Sequence, residues 1–285
     1  DGDVDTFEEL DPTSAALRAA LASIVRRCKP QPSVLNALIA AGTNAYTPVV
    51  VEAFAASGVR EAVDLLAELL RANYGRRAAT VIALGRAALA TPPPFEQRAC
   101  AAVRALLDHP DADGFREAVI CVGRLDDEGA AARLVELLDA DDAGVRADAH
   151  WSLRRITGAR FSMQRAHWSR WLHDESQWWS ERAPDLFDAL DSADARESAT
   201  ALNELLRHRF PRHELAPALA KSLPQLEGAA FDAVCVAIAQ LGSRAPTALL
   251  AELDERETNA ARRASLGACR ARLQSLGAAA PKPVR

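Results

Sequence analysis

At one place in this chain, side chains that could transfer protons or bind a metal lie close together in the sequence. His167 and His173 lie near Asp174 and Glu175, and these residue types serve as metal ligands and as general acids or bases. Their spacing matches no metal-ligand or acid–base motif. The chain also lacks a Gly-x-Ser-x-Gly nucleophile motif and a Walker-type phosphate loop. We therefore expect no catalytic residue, no metal and no cofactor.

The cysteines carry no recognisable site either. They are Cys28, Cys100, Cys121, Cys235 and Cys269. They are odd in number, widely spaced and without a Cys-x-x-Cys pair. This pattern predicts small core residues rather than a disulfide framework or a zinc site.

Tryptophans are concentrated in one short segment. Four of the five lie within a dozen residues, at Trp168, Trp171, Trp178 and Trp179. One interpretation is an aromatic platform for a peptide, a sugar or an unstacked base. The other, which we favour, is a plug that seals the apolar ends of the flanking elements. Since the consecutive Trp178 and Trp179 cannot both point inwards on one helix, one of them is the better candidate for a binding surface.

Composition indicates an all-helical protein. Hydrophobic residues make up 49% and aromatic residues 5%, and much of the apolar share is alanine, the strongest helix former. Apolar stripes recur at helical spacing, as in Val59, Val63, Leu66 and Leu70.

Charge limits the partners. The net charge is -5, with both signs interspersed, which argues against broad nucleic-acid binding.

No stretch is long and apolar enough for a membrane span. The first residue is Asp1 rather than methionine, which favours a removed leader, whereas unpaired cysteines favour a reducing compartment. The localisation therefore stays open between cytoplasm and export.

An internal repeat organises these stripes. Segment 134–161 aligns with segment 186–210, so that Leu138 matches Leu190 and Leu153 matches Leu202. Weaker copies cover 67–86, 104–125 and 245–255. Each unit is a first helix, a short turn rich in Asp and Gly, and a longer second helix. Such a hairpin can bury its remaining apolar face only against the next hairpin.

We therefore predict a single domain over residues 1–277. It begins with a helix at 12–28, a tryptophan-rich insertion spans 158–183, and a flexible tail follows at 278–285. The helix pairs are predicted at 32–57, 59–89, 94–125, 128–157, 184–208, 212–241 and 244–276.

Arginines recur in the second helices of these units, at Arg77, Arg116, Arg146, Arg154 and Arg155. Stacking could line them into a strip that binds a carboxylate-rich or phosphate-bearing partner. They could instead pair with acids of neighbouring units such as Asp113, Asp142 and Asp148, which is the interpretation we favour.

The turn and second helix at 139–158, with their weaker copies, resemble HEAT repeats in the short form common in bacterial proteins. The Gly-Phe-Trp pattern of 158–179 resembles an element that often follows such a unit. The resemblance implies a right-handed α-solenoid of about 6–8 antiparallel helix hairpins. It also implies that Asp142 and Arg146 form a structural ladder between repeats, and that second helices line the concave side. HEAT-type hydroxylases bind two irons through several His-Glu pairs, and the one pair here, His213-Glu214, argues against that activity.

The leading hypothesis for function is a non-catalytic scaffold that presents a curved helical surface to a protein partner. Its candidate contacts are Arg77, Arg116, Arg154, Arg155 and the four clustered tryptophans. The alternatives are a nucleic-acid- or ligand-handling enzyme, resembling a DNA glycosylase or a bilin lyase, and a structural subunit of a larger complex.

Overall fold

The computed structural model describes residues 12–28, 47–71, 77–90, 96–192, 194–243 and 245–278. Across these ranges every regular element is a helix and no strand occurs. The described residues divide into two compact units, one ending at Leu125 and the other beginning at Asp126. The prediction of a single domain over 1–277 stays a prediction, and the predicted tail lies, apart from Ala278, outside the described residues.

The first unit holds six α-helices and one 3₁₀ turn within its described residues. They are α1 (Pro12–Cys28), α2 (Thr47–Ser57), α3 (Arg60–Arg71), α4 (Arg77–Ala90), α5 (Glu96–Arg104), the turn Ala105–Asp108 and α6 (Phe115–Leu125). The predicted helix at 12–28 is confirmed. Of the predicted pair at 32–57, only the part from residue 47 is described.

Helices of the first unit pack in two layers. The second helices α2, α4 and α6 pack on one another in turn, and α1 packs on α2. The first helices α3 and α5 pack on each other. Leu66 and Leu84, both 0% exposed, lie at the centre of this packing.

The second unit holds the remaining described helices. They are α7 (Ala131–Glu136), α8 (Ala143–Thr157), α9 (Arg165–Glu181), α10 (Ala183–Leu190), α11 (Ala195–Arg207), α12 (Arg212–Ser222), α13 (Gly228–Leu241), α14 (Thr247–Arg256) and α15 (Ala260–Ala278). Short 3₁₀ turns at Glu128–Ala130, Leu137–Asp139 and Leu223–Gln225 extend α7 and α12.

In the second unit, as in the first, corresponding helices of neighbouring hairpins contact each other. Within α10 to α15, first helices contact first helices (α10 with α12, α12 with α14) and second helices contact second helices (α11 with α13, α13 with α15). Helix α9 breaks this order, because it lies against both α7 and α10. The segment predicted to be an insertion is therefore a helix packed between two hairpins.

The aligned repeat positions are core positions. Leu138, Leu190, Leu153 and Leu202 are all buried, at 3%, 1%, 0% and 8% exposure. The prediction that these leucines are core residues is therefore confirmed, and the equivalence of the two hairpins stays a prediction.

No helix in the described ranges is long and apolar enough to cross a membrane.

Candidate functional site

Trp168 is a core residue. Its side chain is 0% exposed, and its indole N–H donates to the Ser162 carbonyl oxygen at 2.8 Å. Its ring meets Phe161 edge-on at 5.2 Å, and His150, from α8, at 6.1 Å. This geometry fits the plug interpretation for Trp168, since the ring has no surface left for a ligand.

The other three clustered tryptophans are half-buried against the loop that ends α11. Trp171 lies 5.4 Å from the ring of Phe210, and the Trp179 indole N–H donates to the Phe210 carbonyl at 2.7 Å. Trp178 stacks on His208 at 3.7 Å. Both consecutive tryptophans therefore pack, because α9 has neighbours on two sides: Trp179 also contacts Phe187 of α10. The expectation that one of them serves as a binding surface stays a prediction.

Trp151, which the sequence interpretation left out, is the most exposed tryptophan. Its side chain is 44% exposed on α8. The guanidinium carbon of Arg155 lies over the ring, 5.7 Å from its centroid. Arg154, also exposed, has no hydrogen-bond or ion-pair partner among the described residues. A sequence signal existed: Trp151 lies on the opposite face of α8 from the buried Ala149, Leu153 and Ile156.

Two of the predicted arginines lie in the first unit. Arg77 begins α4 with its Nε atom buried and without a hydrogen bond, and Arg116 is exposed near the start of α6. The acid expected to pair between hairpins, Asp113, accepts a hydrogen bond from the backbone N–H of Ala78 at 3.5 Å. It thereby joins the turn before α6 to the start of α4.

Asp142 and Arg146 stabilise the turn of their own hairpin. The Asp142 carboxylate accepts from the N–H groups of Gly144 at 2.6 Å and Val145 at 3.2 Å, which caps α8. The Arg146 guanidinium donates to the carbonyls of Ala140 at 2.7 Å and Asp141 at 2.8 Å. These bonds lie within one hairpin, and the predicted ladder to a neighbouring hairpin stays a prediction.

A polar cluster joins three turns of the second unit. The ring of His213 contacts the Ser243 hydroxyl through Nδ1 at 2.8 Å and the Asp126 carbonyl through Nε2 at 3.0 Å. The Glu128 carboxylate accepts from the backbone N–H groups of Arg212 at 2.7 Å and His213 at 3.0 Å. Arg212 also forms an ion pair with the Asp126 carboxylate.

Burial sets the protonation states of this cluster. It raises the pKa of Glu128 from 4.5 to about 7 and outweighs the two backbone N–H groups that favour the ionised form. Burial and the neighbouring Arg212 lower the pKa of His213 from 6.5 to about 4. Neutral His213 therefore donates from Nε2 to the Asp126 carbonyl and accepts from Ser243 at Nδ1.

Ser, His and Asp side by side suggest a nucleophilic triad, but the geometry argues against one. Ser243 is 0% exposed, so no substrate carbonyl can reach its hydroxyl, and that hydroxyl also accepts from the Ala245 N–H at 3.3 Å. The cluster is therefore structural and connects the three turns through hydrogen bonds. Sequence reasoning had paired His213 with Glu214 and so missed these partners, which lie far away in the chain.

The four titratable residues singled out in the sequence, His167, His173, Asp174 and Glu175, do not converge on one site. His167, His173 and Asp174 are exposed, while Glu175 contacts His208 at 3.2 Å. Among the described residues no three His, Cys, Asp or Glu side chains are placed to hold a metal. The described cysteine side chains, Cys100, Cys121, Cys235 and Cys269, are buried thiols that form no disulfide, as expected for core residues.

Comparison with known proteins adds little. No protein-family model matches the chain, and no curated protein matches it. Two solved crystal structures of engineered proteins resemble it, each at 17% identity. One match covers 95% of this chain and 77% of the other, with a TM-score of 0.32. The second covers 87% and 98%, with a TM-score of 0.33. Similarity this distant carries no argument about fold or function.

Proposed function

We propose that this chain is a HEAT-like α-solenoid that holds a protein partner rather than catalysing a reaction. Its contact surface is the exposed face of α8, formed by Trp151, Arg154 and Arg155, and its ligand is an acidic segment of the partner. The observation that carries the proposal is the exposed Trp151 ring with the Arg155 guanidinium over it.

Packing within the units supports the solenoid. Stacking of first helix on first helix and second on second, seen in α3 with α5 and in α11 with α13, is the arrangement by which a short hairpin buries its second apolar face. Curved arrays of this kind present long surfaces for partners. Helix α8 is the second helix of its hairpin, the position that the HEAT resemblance assigns to the concave side.

The chemistry of the patch supports an acidic protein partner. Tryptophan and arginine are the residue types most enriched at the energetic centres of protein interfaces. Exposing an indole ring to water is unfavourable, and a partner that covers it recovers this free energy. The Arg154 guanidinium is available to pair with a carboxylate on the partner.

Fluorescence anisotropy with a labelled, glutamate-rich peptide that contains aromatic residues tests the proposal. We expect W151A and R154E each to weaken binding by roughly tenfold. R207E changes the charge equally at an exposed arginine of α11 and should bind like the wild type. A labelled single-stranded oligonucleotide serves as a second probe.

Three results would contradict the proposal. One is the absence of peptide binding at low salt. Another is that W151A and R154E bind the peptide like R207E. The third is that the oligonucleotide binds through Trp151 more tightly than the peptide does, which would indicate a nucleic-acid-binding protein instead.

A further inference from the structure

A groove of about 530 Å³ opens between α13 and α15 in the second unit. This volume lies within the range of small-molecule sites in proteins, roughly 300–1,000 Å³. The groove lies on other helices than the α8 surface, and nothing in the proposed protein-binding function requires it.

The rim of the groove is positively charged. Arg209 and Arg272 both line it and both are exposed. Within the described part of the chain, neither guanidinium has a hydrogen-bond or ion-pair partner. The acid at the rim, Asp232, accepts a hydrogen bond from the Ser265 hydroxyl at 2.6 Å. The two arginines outnumber this one carboxylate, so the rim carries a net positive charge.

The floor of the groove is apolar. Cys235 and Cys269 line it and are 2% and 3% exposed. Burial raises the pKa of these thiols to about 12 and about 11, so both are neutral near pH 7. Val236, at 55% exposure, and Ala268 add apolar surface to the same groove.

We propose that this groove binds a small amphipathic carboxylate. Its apolar chain lies against Cys235, Cys269 and Val236, and its carboxylate pairs with Arg209 and Arg272. Guanidinium groups bind carboxylates through paired, charge-assisted hydrogen bonds, and the apolar floor gives affinity only to a ligand that carries a hydrocarbon chain.

Isothermal titration calorimetry of the full chain with octanoate tests the proposal. Acetate carries the charge without the chain, and octanol carries the chain without the charge. We expect octanoate to bind at one site, and the other two compounds to bind at least tenfold more weakly, because each lacks one of the two contributions. Octyl phosphate distinguishes a carboxylate site from a general anion site.

Variants locate the site. R209A and R272A should each weaken octanoate binding roughly tenfold, while R207A, which removes an exposed arginine outside the groove, should not. A268W fills the groove from an exposed position and should abolish binding. A271W adds the same bulk to exposed α15 surface outside the groove and should leave binding intact.

Equal binding of octanol and octanoate, tighter binding of octyl phosphate than of octanoate, or unchanged binding in A268W would each overturn the proposal. None of these results bears on peptide binding at Trp151.

Discussion

Glu128 and His213 shift their pKa values in opposite directions for the same reason. At the turns joined by the polar cluster the Glu128 side chain is 8% exposed and the His213 side chain 35% exposed. The resulting loss of solvation favours the neutral form of each side chain. Asp127 and Glu214 add repulsion that raises the pKa of Glu128 further, while Arg212 opposes a positive charge on His213. The cluster is therefore most stable with Glu128 protonated and His213 neutral.

The two groups make opposing contributions to the pH dependence of stability. The stabilisation from Glu128 is complete below its ordinary pKa of 4.5 and is lost as the pH rises to about 7. The stabilisation from His213 is complete above its ordinary pKa of 6.5 and is lost as the pH falls to about 4. We expect E128Q to lose stability on acidification more steeply than the wild type, and H213Q to lose it as the pH rises.

Urea denaturation midpoints, measured across about pH 4 to 8, check this prediction. The wild type should be nearly flat between the two ordinary pKa values, because the contributions there have opposite slopes. Parallel pH profiles for the wild type and both variants would mean that neither side chain changes its pKa on folding.

Substitutions at Trp168 and Trp151 compare the loss of a buried tryptophan with the loss of an exposed one. We expect W168A to lower the free energy of unfolding by about 3–5 kcal/mol, because it leaves a cavity at a fully buried site. W168F keeps most of the ring but leaves the Ser162 carbonyl without its donor, and should cost about 1–3 kcal/mol. W151A should stay within about 0.5 kcal/mol of the wild type. Chemical denaturation followed by circular dichroism measures all three, and equal losses in W168A and W151A would contradict the burial of Trp168.

At the scale of the element, the sequence predicted most helices because their limits are set locally. Asp142 and Asp194 occupy matching turns of the repeat, and each caps the helix that follows it. What the sequence could not supply is the placement of α9, because its tryptophans suit either a ligand or a neighbouring helix. That choice depends on α7 and α10, which α9 contacts.

Two glycines at helix ends test how far the local backbone conformation determines where a helix begins or ends. Gly158 ends α8 at a φ of 74°, with nothing near an added Cβ, whereas at Gly114, before α6, the φ is 86° and a Cβ would lie 2.8 Å from the Ala78 nitrogen. We expect G158A to cost about 1 kcal/mol, from backbone conformation alone. G114A should cost at least twice as much, because α4 must also shift.

Thermal or urea denaturation measures both changes. Gly267, inside α15 with open space around it, is the control, and G267A should be neutral or stabilising by up to about 1 kcal/mol. If G114A cost no more than G158A, the close approach of Gly114 to α4 would be wrong.

At the scale of the whole molecule, the sequence predicted the order of hairpins but not the surfaces that they form together. Arg209 and Arg272 meet at one groove only because α13 packs on α15. Likewise, His213 joins Ser243 and Asp126 across three turns that no local pattern connects. Trp151 was left out because clustering, rather than exposure, drew attention to the other four tryptophans. Such sites depend on packing between distant segments, which periodicity in one helix does not encode.

In a stacked array of hairpins, a substitution in the core of one hairpin should destabilise mainly that hairpin and its neighbours. In a solenoid each hairpin contacts only its neighbours, so loss of core packing should spread along the chain by short steps rather than throughout the molecule. Leu66 in the first unit and Leu205 in the second are both 0% exposed. Replacing either by alanine should cost about 2–5 kcal/mol.

Hydrogen exchange read by mass spectrometry shows where that cost appears. We expect L66A to raise exchange first in peptides of α3 and α4, and L205A first in peptides of α10 to α13, because those helices share the damaged core. An exposed-site control, R207A, should leave exchange unchanged. If both leucine variants raised exchange equally across all described helices, the molecule would unfold as one cooperative block, and the HEAT-like solenoid proposed above would be wrong.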